Sequence, residues 1–262
     1  MIVLRRSCPD ARSMAEHTMF PLTNHECILR VMRHAAFTVA VSLLVSSVMF
    51  AQDWVEYKNI EDGFQIAFPS QPQALQTTFT SQYGYMLPEK TYFVVAGPQR
   101  FSVTVVDYRG IEQQAIARAC PEGKKENCGT RAIFAVIGIS EWRNDVRGAI
   151  AYSLNRFTSR NARIVSVTGD WQDLVEGMML TLENADKSRT AVAISMHDNR
   201  LYIVEATAPI ARFGPATAFP QNFGYLDKEG KSIRYQRMYS NNFHGLGDYP
   251  PPPRVGQPPD GR

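Results

Sequence analysis

The stretch "RTAVAISMHDNRLYIVEATA", residues 189–208, constrains the fold of this 262-residue chain more than any other. Two runs rich in β-branched and aromatic residues flank Asp198-Asn199. Both of those residues tolerate the positive φ that a type I′ turn demands. The two runs therefore predict an antiparallel hairpin. In the first run Val192, Ile194 and Met196 fall on one face, while Ala191, Ala193, Ser195 and His197 fall on the other.

Other strand patterns surround this hairpin. In "WVEYKNIEDGFQIAFPSQP" a short strand, an Asp62-Gly63 turn and a second strand precede a proline stop at Pro69 and Pro72. Phe64, Ile66 and Phe68 alternate with Gln65 and Ala67, the period of a half-buried strand. "ALQTTFTSQ", "KTYFVVAG" and "RFSVTVVDY" follow, punctuated by Tyr83-Gly84 and Gly97-Pro98. "AIAYSLNRF", "ARIVSVTGDW" and "GMMLTLEN" read as further strands. "IEQQAIARA" has the helical spacing Ile111, Ala115, Ala119, with Glu112 and Arg118 placed to suit the helix dipole. "TRAIFAVIGISEWRND" fits a second helix, a further short helix is expected around Ala216 to Leu226, and "KSIRYQRMYS" reads as a final extended segment. Hairpin-spaced strands broken by a few helices predict an α+β domain, a mainly antiparallel β-sheet with helices packed on it. Regular strand–helix alternation, which a doubly wound sheet requires, is missing.

Domain organisation follows from composition. "MRHAAFTVAVSLLVSSVMFAQDW" carries Arg33 and His34, an apolar run to Phe50, and small Ala51 before Gln52, the layout of a signal peptide over residues 32–51. The run is short for a membrane span, and an uncleaved anchor is the alternative. Residues 1–31 show no clean period and read as an unstructured, over-extended N-terminus upstream of a true start at Met32. Residues 52–248 form a single α+β domain in this reading. "YPPPPRVGQPPDGR" within 249–262 reads as a Pro-rich disordered tail. The expected location is periplasmic or secreted, with no membrane span after signal removal.

Cys120 and Cys128 in "CPEGKKENC" are the only thiols after residue 52. In an oxidising compartment they form a disulfide staple, which stabilises by about 2.5 kcal/mol on the chain-entropy model. A redox couple usually has C-x-x-C spacing, and a zinc site lacks its second ligand pair.

Few residues point to chemistry. The net charge of +3 on the whole chain comes largely from the segment before residue 52, so nucleic-acid binding has no electrostatic footprint. "GISEW" lacks the second glycine of a nucleophile elbow around Ser140. His197 beside Asp198 could act as an acid–base group, with Asp198 or Glu205 as its carboxylate; the plainer expectation is a solvent-facing turn residue. His244 reads as a loop residue. Acidic turns at 61–63 and 183–188 lack calcium-loop spacing, and no cofactor or metal is expected. Tyrosines from Tyr57 to Tyr239 could form an exposed platform for an envelope protein or polysaccharide partner.

"DGFQIAFPSQP", Asp62 to Pro72, resembles the opening of PsbP-like domains, where an acidic-Gly-Phe turn enters a strand that ends in an aromatic-Pro pair. The resemblance implies a mainly antiparallel sheet sandwiched by helices. The family includes accessory proteins of photosynthetic complexes and exported bacterial proteins, mostly without enzyme activity. The proline-rich end and the cysteine loop depart from the family pattern, and no site residue carries over. The leading expectation is an exported, non-catalytic envelope protein acting as a binding or accessory module. An exported hydrolase using His197 and a small-molecule carrier are the alternatives.

Overall fold

Alternation along the strands dictates two packed layers, and the computed structural model, which describes residues 54–119 and 141–257, shows how they close. The strands in chain order are β1 (Val55–Asn59), β2 (Phe64–Phe68), β3 (Gln73–Thr80), β4 (Met86–Ala96) and β5 (Gln99–Asp107). Helices α1 (Ile111–Ala119) and α2 (Glu141–Thr158) follow, then β6 (Ala162–Gln172), β7 (Val175–Asn184), β8 (Arg189–His197) and β9 (Arg200–Ala208). A 3-10 turn leads into α3 (Phe213–Gln221), β10 (Gly224–Leu226) and β11 (Ser232–Ile233). All these residues belong to one compact unit spanning Asp53 to Arg262.

A seven-stranded sheet runs in the order β3-β4-β5-β9-β8-β7-β6, and a four-stranded one in the order β1-β2-β10-β11. Neighbouring strands in both pair antiparallel. The fold is α+β. Phe64, Ile66 and Phe68 point from the small sheet onto Val103, Val105, Tyr202 and Val204 of the large one, with Phe219 of α3 closing that core. The opposite face of the large sheet packs Leu180, Val192, Ile194 and Leu201 beneath α1 and α2. Each such aliphatic or aromatic side chain stabilises the fold by roughly 1.5–3 kcal/mol when fully buried.

The β8–β9 turn forms as the sequence predicts, with Asp198 at φ 49 and Asn199 at φ 53. Gly63 takes φ 71 in the β1–β2 turn, as the Asp-Gly pair requires. Ile111 and Ala115 of α1 are buried.

Four expectations are corrected. "AIAYSLNRF" is helix, not strand: Ala149, Ser153 and Phe157 are buried at i, i+4, i+8, continuing Trp142 and Val146 on one helical face. The helix expected over Ala216 to Leu226 starts earlier and stops at Gln221, because Gly224–Leu226 pairs with β2 and β11. Only Ser232–Ile233 of "KSIRYQRMYS" is strand. The tail is ordered through residue 257, where the Gln236 amide donates to Pro253 O (2.9 Å) and the Val255 amide to Arg234 O (2.7 Å). Prolines lack amide donors but keep their carbonyls, so Pro253 accepts from the neighbouring segment while Val255 supplies the returning amide. Residues 1–53, on which the expected over-extended N-terminus and signal peptide fall, residues 120–140 with Cys120 and Cys128, and residues 258–262 lie outside the described residues.

Candidate functional site

The β8–β9 turn places His197 opposite Arg200 as the closing pair of the hairpin. The chain after β11 then folds back across this turn. Tyr239 makes a parallel bridge with Val175; its amide donates to Leu174 O (2.8 Å), and its carbonyl accepts from the Glu176 amide (2.9 Å). Asn241 clasps the turn itself. Its Oδ1 accepts from the Asn199 amide (3.0 Å), and its Nδ2 donates to Asn199 Oδ1 (3.0 Å). Asn199 Nδ2 donates in turn to Gly245 O (2.8 Å).

The result is a cleft of about 450 Å³, floored by His197, Tyr235 and Tyr239 and bounded by Ile60, Leu226 and Pro251. His197 sits between rings, with centroids 4.9 Å from Tyr225, 5.8 Å from Tyr235 and 4.8 Å from Tyr239. Tyr239 stacks on Tyr235 at 5.0 Å and on His244 at 5.0 Å. His197 Nε2 and the Tyr235 hydroxyl share a hydrogen bond of 2.8 Å. The Tyr239 hydroxyl accepts from the Asp198 amide (3.1 Å).

Charge around the rim is arranged in pairs. Arg200 meets Asp198 at 3.4 Å and donates to Glu61 O at 3.2 Å. Arg254, from the proline-rich end, meets Asp227 at 2.9 Å. Asp227 also accepts the Lys231 and Glu229 amides, and the Lys231 amide bond above all holds its carboxyl below the usual range. Lys228 and Glu229 complete the rim.

His197 is not the solvent-facing residue that turn position suggests: only 6% of it is exposed. Burial, helped by the nearby Arg254 and Arg200 cations, lowers its pKa to about 3. A neutral imidazole of that acidity is too weak a base to move protons near pH 7. Glu205 cannot serve it. Its register partner Val192 faces the helices, whereas His197 faces the small sheet. Glu205 is held by Arg160 at 3.1 Å on that far side. The Asp198 carboxylate turns to Arg200 and is mostly exposed. The sheet stands between His197 and Glu205, so these two side chains do not meet in one site.

The tyrosine platform is also corrected. Tyr85, Tyr92, Tyr108, Tyr202 and Tyr225 are core residues, while Tyr83 and Tyr249 are exposed and separate in sequence. Burial raises Tyr235 to about 12, so its hydroxyl keeps its proton. Arg254 is the site residue that sequence reasoning missed, while Tyr235 and Tyr239 entered it only as two among the platform tyrosines. Nothing in "RYQRMYS" or "PPPRV" marks a site, because a long-range fold-back assembles them. Among the described residues no cluster of His, Cys, Asp and Glu could hold a metal ion.

An α+β domain with a charge-paired, ring-floored cleft at a hairpin end is thus what fold and site define. No family model and no curated protein matches the chain. Among solved structures it is similar to cyanobacterial PsbP (CyanoP) from Synechocystis sp. PCC 6803, determined in solution. That likeness has 9% identity and a TM-score of 0.37, covering 69% of this chain and 96% of that one.

Proposed function

We propose that this chain is an exported, non-catalytic binding module that seats a hydroxyl-rich ligand, a unit of envelope polysaccharide, in the cleft beside His197. The charge balance of the cleft carries the reading. Arg200, Lys228 and Arg254 stand against Asp198, Asp227 and Glu229, and His197 is neutral. A rim without net charge selects neither anion nor cation. It offers donors and acceptors, already oriented by their ion pairs, around a floor of aromatic rings, which suits a neutral polar ligand with an apolar face.

Thermal-shift titration tests it, because a ligand that binds only the folded chain raises the melting temperature by mass action. Neutral oligosaccharides raise it, and Arg254→Ala abolishes the rise. Stabilisation by simple anions or cations alone, or a saccharide effect indifferent to Arg254→Ala, refutes the reading.

Export rests on residues 32–51, whose removal leaves a chain starting at Gln52 in the periplasm or medium. There Cys120 and Cys128 would form their disulfide, which mass spectrometry would detect as two hydrogens gained on reduction. Recovery of the full-length chain from the cytosol with both thiols free refutes this part.

A further inference from the structure

Strand β6 pairs only with β7, and among the described residues no strand lies along its other side. Among the described residues its outward row of amides and carbonyls is left for another extended chain. Eleven residues long, it is solvent-accessible on both faces over most of its length. Ile164 is 44% exposed, Val165 and Val167 40%, and Trp171 53%. The other edge of the same sheet is different. β3 presents Gln73, Gln76, Thr77, Thr78 and Thr80, with Leu75 as its one exposed large apolar residue. β6 has no proline and no lysine, and beside a bulge at Val165 it carries only the charges of Arg163 and Asp170.

The charges on β6 decide what fits it. Arg163 lies near one end and Asp170 near the other. Both point to the same side of the sheet, since their β7 partners Glu183 and Gly177 share that side. Asp170 has no ion-pair partner among the described residues, while Arg163 spends only part of its guanidinium on Glu183 at 2.9 Å. Leaving the bulged Val165 out, as the β7 register does, a copy of β6 running antiparallel brings Arg163 of each chain opposite Asp170 of the other. Val167 then sits on the two-fold axis. Ile164 meets Gly169, whose bare backbone is covered by Trp171, with a ring atom 3.4 Å from where a Cβ would stand. Such a register is self-complementary in charge and in shape, the condition for an isologous interface.

We propose that β6 pairs with β6 of a second copy of this chain, joining two seven-stranded sheets into one across a two-fold axis at Val167. The surface is separate from the cleft, and the proposal does not depend on what the cleft holds.

Sedimentation velocity on the mature chain tests it. The wild type shows a concentration-dependent dimer in the micromolar range. Val167→Lys sets two like charges on the axis and abolishes the dimer, with the circular dichroism unchanged because the side chain is exposed. Arg163→Asp opposes two carboxylates at both ends and weakens the dimer roughly tenfold; adding Asp170→Arg to it restores the affinity. A wild type that stays monomeric throughout overturns the proposal and leaves the edge to a strand from a different protein. A dimer that ignores Val167→Lys, or a reversed pair no tighter than Arg163→Asp alone, overturns it equally.

Discussion

Replacing His197 by Phe tests the electrostatics of the cleft through folding stability. The folded-state pKa of about 3 lies below the ordinary value near 6.5. As the pH falls through about 6.5, the unfolded chain takes up a proton that the folded chain refuses until about pH 3. His197 therefore adds stability that is complete above that window and is lost progressively within it. Between about pH 7.5 and pH 5 the loss from this one group is about 2 kcal/mol. The imidazole is almost wholly enclosed, so solvent screening takes little from that figure. Phe keeps the ring contacts with Tyr225 and Tyr239 but cannot titrate. Tyr235→Phe belongs in the same chain, so that no hydroxyl is left facing carbon. Urea unfolding followed by tryptophan fluorescence across that pH range gives the assay. The wild type should lose about 2 kcal/mol more than the double variant. Asp145 and Asp173, whose carboxyls burial raises, titrate with the opposite sign in both proteins and cancel in the difference. Parallel pH profiles would refute the reasoning, since they would mean that His197 is solvated or charged in the folded state.

Other expectations concern packing and buried polar groups. A Cβ on Gly177 would stand 2.6 Å from Ile194 O across the β7–β8 pair, so Gly177→Ala should cost roughly 1–3 kcal/mol in urea unfolding; an unchanged midpoint would contradict the register. The hydroxyl of fully buried Tyr225 donates to Ser195 Oγ at 2.6 Å. Tyr225→Phe should therefore destabilise by about 1–2 kcal/mol by orphaning that serine, and equal stability would disprove the bond. Asp145 on α2 accepts from the Ser81 hydroxyl and from the Tyr83 amide at 3.2 Å, fixing the β3–β4 turn to the helix. Asp145→Ala should lose about 1–3 kcal/mol and speed hydrogen exchange at Tyr83; unaltered protection there would show that the turn holds by itself.

Local chemistry made much of the fold legible. Asp198-Asn199 and Asp62-Gly63 fix their turns through backbone preference alone, and Phe64, Ile66 and Phe68 show their face through simple alternation. "AIAYSLNRF" misled because Ile150, Tyr152 and Leu154 also alternate, while the true period runs through small Ala149 and polar Ser153. Those two are buried beneath the helix without looking apolar. Tyrosine content misled in another way: composition counts rings but does not say which side of a sheet they occupy, and seven of the eleven are buried. The cleft was legible only at His197 and Asp198. Its other walls come from β10, β11 and the chain beyond them, brought to the hairpin by backbone bonds that no short-range pattern encodes.

Arg254 and its proline-rich surroundings are tied into the cleft. A stretch that composition alone would mark as expendable supplies the cation for Asp227, the carbonyl for Gln236 and, through Pro251, part of the wall beside His197. Trimming the polypeptide after Tyr249 would remove the Arg254 cation that helps lower the pKa of His197 and take away the Pro251 wall of the cleft. A histidine some fifty positions earlier in the chain therefore feels the charge of the C-terminal stretch, and a proteolytic nick there would change its electrostatic surroundings.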